Sequence, residues 1–185
     1  PLLSDISSYP LDILHYCGPF NFIGKKSNLL TPSTINVIAR GIPVTLHGSA
    51  CSVRYSLLHD GASIMTLLNK SESKSYKACL LVIQDSAGYV FGGFLHGQIK
   101  NKEKEYFGTS SCFVFRALPD TKIYTWTKRN EYFFCYSSDF IGMGGGAHGF
   151  AFALDEDLNG GTSAISDTFG NSILSFTNVF ESSQV

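Results

Sequence analysis

Residues 78–95 read ACLLVIQDSAGYVFGGFL, and they are the strongest indication of the fold class in the chain. Residues 78–83 are continuously apolar, which is typical of a strand buried on both faces. Residues 85–88 have the composition of a turn, and residues 89–95 return as the partner strand. The adjacent Gly92 and Gly93 predict a bulge or a close approach of another backbone. The stretch therefore predicts a hairpin inside a buried sheet.

Two short helices are predicted before this hairpin. Thr31 followed by Pro32 is a helix start, with a threonine cap and proline at the first helical position, and the helix should end near Ala39. Residues 52–58 alternate like a strand, and residues 59–61 should form a turn. A second helix should then open at Ser63 with its apolar side chains on one face.

Strand signals dominate the remainder of the chain. Alternating or aromatic runs predict strands over residues 112–117, 122–127, 132–136 and 150–154. The segment from 155 to 171 is rich in turn residues. We therefore predict an α+β, β-dominated fold, a two-sheet antiparallel β-sandwich flanked by a few short helices.

Composition limits the possible partners. The chain has 185 residues, enough for one domain, and 44% of them are hydrophobic. Its formal net charge of -1 argues against a bulk electrostatic grip on nucleic acid or anionic membrane. No apolar run approaches the roughly 20 residues of a membrane span, so we expect no direct membrane insertion.

Five cysteines stand at positions 17, 51, 79, 112 and 135, without a CxxC pair. Cys79, Cys112 and Cys135 lie inside apolar or aromatic runs, which favours buried structural thiols in a reducing compartment, the cytosol or nucleus. Cys112 is the best candidate for a reactive thiol. Such a thiol needs partial exposure and a nearby cation, and the sequence indicates neither.

Two clusters have alternative interpretations. Asp155, Glu156 and Asp157 could supply a general acid or a divalent-cation site. A turn whose carboxylates accept backbone N–H groups is favoured, because consecutive strand residues point to opposite faces. Residues 144–146 are three glycines, which could form an anion nest, although a glycine bulge between aromatic strands is favoured.

His59, Asp60 and Ser63 suggest a hydrolytic site, but the chain has no G-x-S-x-G elbow. A turn followed by a helix start explains the same residues. We therefore assign no catalytic residue, metal or cofactor. An enzyme that uses Cys112, Ser63 or His59 remains one alternative, and a divalent-cation module remains another.

Several segments, in order, resemble one known family, the TLDc domain of oxidation-resistance proteins. The matching stretches are YSLLHDGAS at 55–63, the hairpin strands LLVI and FGGF, FGTSSCFVF at 107–115, the YTW of 124–126, GGGAHGFAFALDEDL at 144–158, the GTS of 161–163 and TFGN at 168–171. No single stretch is specific, but the ordered set is. It covers roughly residues 27–180 of the chain.

The resemblance implies a two-sheet sandwich over residues 27–185, with residues 1–26 as an N-terminal extension. It assigns motif positions that are structural rather than catalytic: Gly61, Gly108, Gly144, Gly145, Gly146 and Asn171. The family's usual Glu before the cysteine is Ser111 here, so no role for that acid carries over. The family's closing W-G-F strand is not found before Val185, so we expect an unpaired strand edge.

The resemblance also implies a non-catalytic interaction domain. We expect it to bind peripheral-sector subunits of the vacuolar proton pump (V-ATPase), to regulate the pump's assembly or activity, and to act in oxidative-stress resistance. A cytoplasmic monomer recruited to pump-bearing membranes fits this role. The candidate contact loops are 101–105, 128–130 and 155–159, with Lys128, Arg129, Asp155, Glu156 and Asp157 as partner-binding residues.

Overall fold

A computed structural model of the chain describes residues 11–15, 21–24, 27–71, 77–99 and 104–183. The helices are α1 (Pro32–Ala39), α2 (Leu57–Asp60) and α3 (Ile64–Ser71), with a short 3-10 helix at Val44–Leu46. The strands are β1 (Leu11–His15), β2 (Asn21–Phe22), β3 (Ala50–Ser56), β4 (Ala78–Gln84), β5 (Val90–His96), β6 (Phe113–Leu118), β7 (Lys122–Thr125), β8 (Phe134–Tyr136), β9 (Phe140–Met143), β10 (Phe152–Asp155), β11 (Gly160–Thr162) and β12 (Val179–Glu181). No helix in these ranges combines the length and apolar character that a membrane span needs.

The strands form two sheets. The large sheet has the order β2-β3-β1-β4-β5-β6-β7, and the small sheet has the order β12-β11-β10-β9-β8. Neighbouring strands are antiparallel, except that β2 runs parallel to β3. The predicted β-dominated, two-sheet fold with a few short helices is confirmed.

Strand β4 is apolar at successive positions because both of its faces are covered. Cys79, Leu81 and Ile83 belong to a core cluster shared with side chains of the small sheet, such as Met143 and Phe152. The alternate side chains belong to a second cluster, which includes residues of α1 and the 3-10 helix; they are Ala78, Leu80 and Val82. Since successive side chains of a strand point to opposite faces, the large sheet is the middle of three layers.

The predicted central hairpin is confirmed, because β4 pairs with β5 from Ala78 opposite His96 to Gln84 opposite Val90. A bulge at the two glycines is wrong: Gly92 and Gly93 pair regularly, and the register shift with β6 lies between Val90 and Phe91. The close approach is correct. A Cβ at Gly92 would overlap the backbone carbonyl of Leu81 in β4, and a Cβ at Gly93 would overlap the sulfur of Met143 in the small sheet.

Helix α1 begins as predicted. The Thr31 hydroxyl accepts the amide of Thr34, and Pro32 occupies the first turn. These contacts fix the helix start because they satisfy N–H groups that have no partner inside the helix. Ile38 of α1 is buried in the second core cluster, so the helix covers the outer face of the large sheet.

The prediction of a strand through Leu58 is wrong, because β3 ends at Ser56 and the helical turn α2 follows. A hydrogen bond from a side chain closes the helical turn here, because the Asp60 carboxylate accepts the Ser56 amide at 2.9 Å. The buried Tyr55 hydroxyl donates to the Gly61 carbonyl at 2.5 Å. These bonds close the chain on itself within six residues, which a strand prediction from alternation does not include.

Other boundaries shift by a few residues. Strand β8 begins at Phe134 and β10 at Phe152, each two residues later than predicted, and β7 ends at Thr125. The short strands β9, β11 and β12 were not predicted. Strand β11 reads Gly-Gly-Thr, a composition without a strand signal, and it forms because its neighbours supply the pairing partners.

Strand β1 lies inside the segment predicted as an N-terminal extension. It pairs with β3 on one side and with β4 on the other. The described strands of that segment are therefore part of the large sheet. Cys17 and loop residues 101–103 lie outside the described residues.

Asp60 joins β3 to α3 and gives an expectation for the pH dependence of stability. Its carboxylate binds the Lys70 ammonium and the Ser56 amide. Burial opposes ionisation of Asp60, but these hydrogen bonds and the positive charge of Lys70 outweigh it and hold the pKa of Asp60 below its usual value. A carboxyl with a lowered pKa adds stability above its unfolded pKa of about 4, and this stability is lost as the pH falls through the folded pKa.

We therefore expect Asp60→Asn to lower the free energy of unfolding by about 1 kcal/mol at pH 7, because the charged bond to a half-exposed lysine is lost. The difference between wild type and variant should shrink as the pH falls below about 4 toward the lowered pKa of Asp60. Urea denaturation at pH 7 and at acid pH measures it. A difference that stays constant with pH would show that Asp60 contributes through shape rather than charge.

Candidate functional site

Three loops pack together at one end of the small sheet: residues 126–132, 144–149 and 163–172. We call them the loop platform. Thr168 is completely buried among them. Its hydroxyl accepts the Gly145 amide at 2.9 Å and donates to the Asn130 side-chain oxygen at 2.7 Å. Its carbonyl accepts the Thr127 amide at 2.9 Å. One buried threonine thus ties all three loops together.

Asn171 holds the third of these loops in shape. Its side-chain oxygen accepts the Ser166 hydroxyl at 2.9 Å and the Ser166 amide at 3.3 Å. Its side-chain nitrogen donates to the carbonyls of Ala164 and Ser172 at 2.8 and 2.9 Å. All the hydrogen-bonding positions of this buried amide are used within the loop, so the motif position Asn171 lies in a structural setting.

The glycine run lies against the same loop. Gly144 and Gly146 have φ values of 74° and 151°, which favour glycine. The amides that could have formed an anion nest bind oxygens of the chain itself: Gly145 N–H donates to Thr168, and Ala147 N–H donates to the Asp167 carboxylate at 3.0 Å. The structure therefore places the run at a crossing of loops, with the Gly145 and Ala147 amides bound within the chain.

Lys128 and Arg129 lie on the platform's outer edge. Lys128 has a positive φ of 68° at the tip of the 126–132 loop, which the Trp126 indole closes by donating to the Asn130 carbonyl at 2.6 Å. The Arg129 side chain is 71% exposed, and a guanidinium nitrogen of Arg129 lies 3.8 Å from a carboxylate oxygen of Asp167. Ile165, on the third loop, is also exposed. The side chains of Lys128 and Arg129 are thus exposed to solvent on loops that hydrogen bonds hold together.

The acidic run lies at the opposite end of β10 from the platform. All three acids of the run, Asp155, Glu156 and Asp157, are exposed. One Asp155 oxygen accepts the Asn159 amide at 3.0 Å, and the Glu156 carbonyl accepts the Ile64 amide at 3.3 Å. This is the predicted turn with a carboxylate bound to backbone N–H. Among the described residues, no three histidine, cysteine or acidic side chains are placed so that they could hold one metal ion together.

Cys112 is buried behind the hairpin. It is 1% exposed, and its sulfur accepts the amides of His96 and Thr109, both at 3.3 Å. Burial raises the pKa of Cys112, although these amides act in the opposite direction. Burial also raises the pKa of Cys79 to about 12. Gly108 packs against the Cys112 sulfur, where an added Cβ would lie 2.9 Å away.

The residues of the hydrolytic alternative have other partners. The Ser63 hydroxyl accepts the Thr66 amide at 3.3 Å, which is a cap on α3. The Asp60 carboxylate is occupied by Lys70 and Ser56. His59 is exposed on α2, and Gly61 follows that helical turn. The three residues therefore take part in a strand–helix junction.

Asp85 is a buried carboxylate whose role the sequence does not indicate, since the composition of residues 85–88 predicts only a turn. It is 2% exposed and accepts the amides of Ala87 at 3.0 Å and Tyr89 at 2.8 Å with one oxygen. Its other oxygen accepts the Phe176 amide at 2.9 Å. The backbone of Asp85 also forms an isolated antiparallel β-bridge with Ser182, the residue after β12. It therefore connects the central hairpin to the last strand of the small sheet.

Comparison with known proteins gives a consistent result. A family model described as the TLDc domain matches residues 23–185. Nuclear receptor coactivator 7 of Mus musculus is 35% identical over 149 residues, which are 80% of this chain and 16% of that protein. Oxidation resistance protein 1 is 34% identical over 153 residues in Homo sapiens, with 83% and 17% covered, and 32% identical over 172 residues in Xenopus laevis, with 91% and 20% covered. The chain thus spans a fifth or less of these relatives. It belongs to the TLDc domain family.

Proposed function

We propose that this chain is a non-catalytic protein-interaction domain that binds the peripheral sector of the V-ATPase and regulates the pump's assembly or activity. Membership of the TLDc family supports the proposal, and relatives that carry oxidation resistance in their names support a role in oxidative stress. In this role the chain acts as a cytoplasmic monomer that is recruited to pump-bearing membranes.

The loop platform is the observation that carries the proposal. Its loops are tied together through Thr168, and they present Lys128 and Arg129 to solvent. A surface that is already rigid loses little conformational entropy when a partner binds, which favours recognition. Arginine is also enriched among the residues that contribute most to protein–protein binding.

A pull-down against the purified peripheral sector tests the proposal. The wild-type chain should be retained, and Lys128→Gln combined with Arg129→Gln should weaken retention. Arg40→Gln is the matched control, because Arg40 is an exposed cation at the end of α1, on the other side of the large sheet. A folded wild-type chain that is not retained at micromolar concentration would refute pump binding.

A redox enzyme is the principal alternative, and the setting of Cys112 disfavours it. The thiolate is the reactive form of cysteine, and burial with a raised pKa keeps the thiol protonated at neutral pH. We expect Cys112 and Cys79 to be alkylated far more slowly in the native chain than in the denatured chain. Mass spectrometry of peptides after timed iodoacetamide treatment measures this for each cysteine, and rapid native labelling of Cys112 would revive the redox function.

A divalent-cation module is the second alternative. Asp155 already directs one oxygen to the Asn159 amide, which leaves it fewer positions for a cation. Calcium binds through six to eight oxygens, so a single turn of this kind is a poor site. Heat on titration with millimolar calcium, lost in Asp155→Asn, would favour this alternative over the proposed function.

A further inference from the structure

The positive charges of the chain all lie outside the segment that builds the small sheet. All 14 Lys and Arg residues precede residue 130, whereas the segment 130–185, which builds the small sheet, carries acids alone apart from His148. Its acids are Glu131, Asp139, Asp155, Glu156, Asp157, Asp167 and Glu181. A formal net charge of -1 therefore conceals an acidic lobe, which attracts cationic partners.

Two of these acids lie in one cross-strand row. Gly160 pairs with Glu181 across β11 and β12, and an added Cβ at Gly160 would lie 3.3 Å from the free oxygen of Asp155. Directly paired residues point to the same face of a sheet. Asp155 and Glu181 therefore lie on either side of a position without a side chain, with their Cα atoms about 10 Å apart if each neighbouring strand lies about 5 Å away. The Asp155 carboxylate reaches toward that position, so a cation bound there would contact it directly.

A groove opens over this row. It has a volume of about 680 Å³, and Asp155, Gly160, Glu181 and Val179 are among its lining residues. Val179 is 70% exposed, and Phe176, beside an adjoining pocket of about 280 Å³, is 63% exposed. The groove is thus lined by the acids Asp155 and Glu181 with Gly160 between them, and exposed apolar side chains lie next to it.

The edge of β12 restricts how a ligand would lie. The Glu181 carbonyl already accepts the Ser86 amide at 2.8 Å. Part of the β12 edge is therefore occupied, and recognition would depend on side chains rather than on strand addition.

We propose that this groove binds an extended, basic segment of a partner protein. One arginine or lysine of the segment lies over Gly160 between Asp155 and Glu181, and a neighbouring apolar residue packs on Val179 and Phe176. Arginine suits the position best, because its planar guanidinium has five donors and can bridge two carboxylates. The inference does not depend on the pump as the partner.

Peptide titration followed by nitrogen-15 NMR of the 185-residue chain tests the inference. The probe is the acetylated, amidated peptide SVTRTVS, and its control has citrulline, a neutral isostere, in place of arginine. The arginine peptide at millimolar concentration should shift the amide signals of Gly160, Gly161, Val179 and Glu181, and the citrulline peptide should bind more weakly. Equal affinities, shifts confined to other regions, or no shifts would overturn it.

Two variants and a control identify the contacts. Glu181→Gln and Asp155→Asn should each weaken the arginine peptide about 2- to 5-fold, as expected for loss of a solvent-exposed ion pair. Both should leave the citrulline peptide unaffected. Glu131→Gln removes an exposed acid of the same lobe outside the groove and should change neither affinity. An equal loss in Glu131→Gln would reduce the effect to net charge and refute the groove. The pump pull-down is scored separately, so either proposal can fail alone.

Discussion

Replacing Gly92 with alanine is expected to lower the free energy of unfolding by about 3 kcal/mol or more, the upper range for overpacking a closely packed core. Gly92 lies in the middle of β5, paired with Val82 on one side and Phe115 on the other. A Cβ at this position would overlap the backbone carbonyl of Leu81 and lie 3.1 Å from the Phe115 ring. The carbonyl belongs to a central strand and cannot move without disturbing the large sheet.

Gly93→Ala provides the matched control for this expectation. It changes the adjacent residue of the same strand, but the obstacle is the flexible end of the Met143 side chain, which can adopt another rotamer. We expect a loss of about 1 to 2 kcal/mol. Urea denaturation followed by tryptophan fluorescence gives both values. If Gly93→Ala is as damaging as Gly92→Ala, the close approach of the two sheets limits stability more than the backbone contact does.

Replacing Asp85 with alanine is expected to lower the free energy of unfolding by about 3 kcal/mol, because three part-buried backbone amides lose the charged acceptor that they share. The amides belong to Ala87, Tyr89 and Phe176, so the variant removes a connection between residues 91 positions apart. We also expect faster hydrogen exchange of the Phe180 and Ser182 amides, since the carboxylate holds the Phe176 amide, a few residues before β12, against the hairpin.

Asp85→Asn should have an intermediate effect. The side-chain oxygen that remains can serve Ala87 and Tyr89, but the amide nitrogen then faces the Phe176 N–H, a donor against a donor. Asp157→Ala, the control, removes an exposed acid from the turn after β10 and should change the free energy of unfolding by less than about 0.5 kcal/mol. A loss of that small size in Asp85→Ala would mean that water replaces the carboxylate as acceptor.

Patterns within a few residues predicted much of the fold. The apolar run of β4 and the turn after it predicted the hairpin, and Thr31 with Pro32 predicted the start of α1. The burial of Cys79 and Cys112 also followed from their apolar surroundings in the sequence. Each of these features depends on local backbone preference or on the side-chain period of a single element, which the sequence contains directly.

Contacts between distant residues were the part that local patterns could not predict. The sequence showed Asp60 as a turn residue and missed α2, whose cap depends on a bond from Asp60 back to Ser56. It gave no reason for Thr168 to join three loops, since its partners Gly145 and Asn130 lie 23 and 38 residues away. Such partners are selected by packing, and packing depends on how the whole chain folds.

Local sequence patterns are enough to predict the β-dominated sandwich, the buried cysteines and the ordered segments of the TLDc family. The folded chain adds that β1 enters the large sheet, that Asp85 connects the hairpin to the segment before β12, and that Asp155 and Glu181 lie on either side of Gly160. One cause explains all three additions. Local periodicity specifies which face of a strand is apolar, whereas the register between strands determines which polar groups become neighbours.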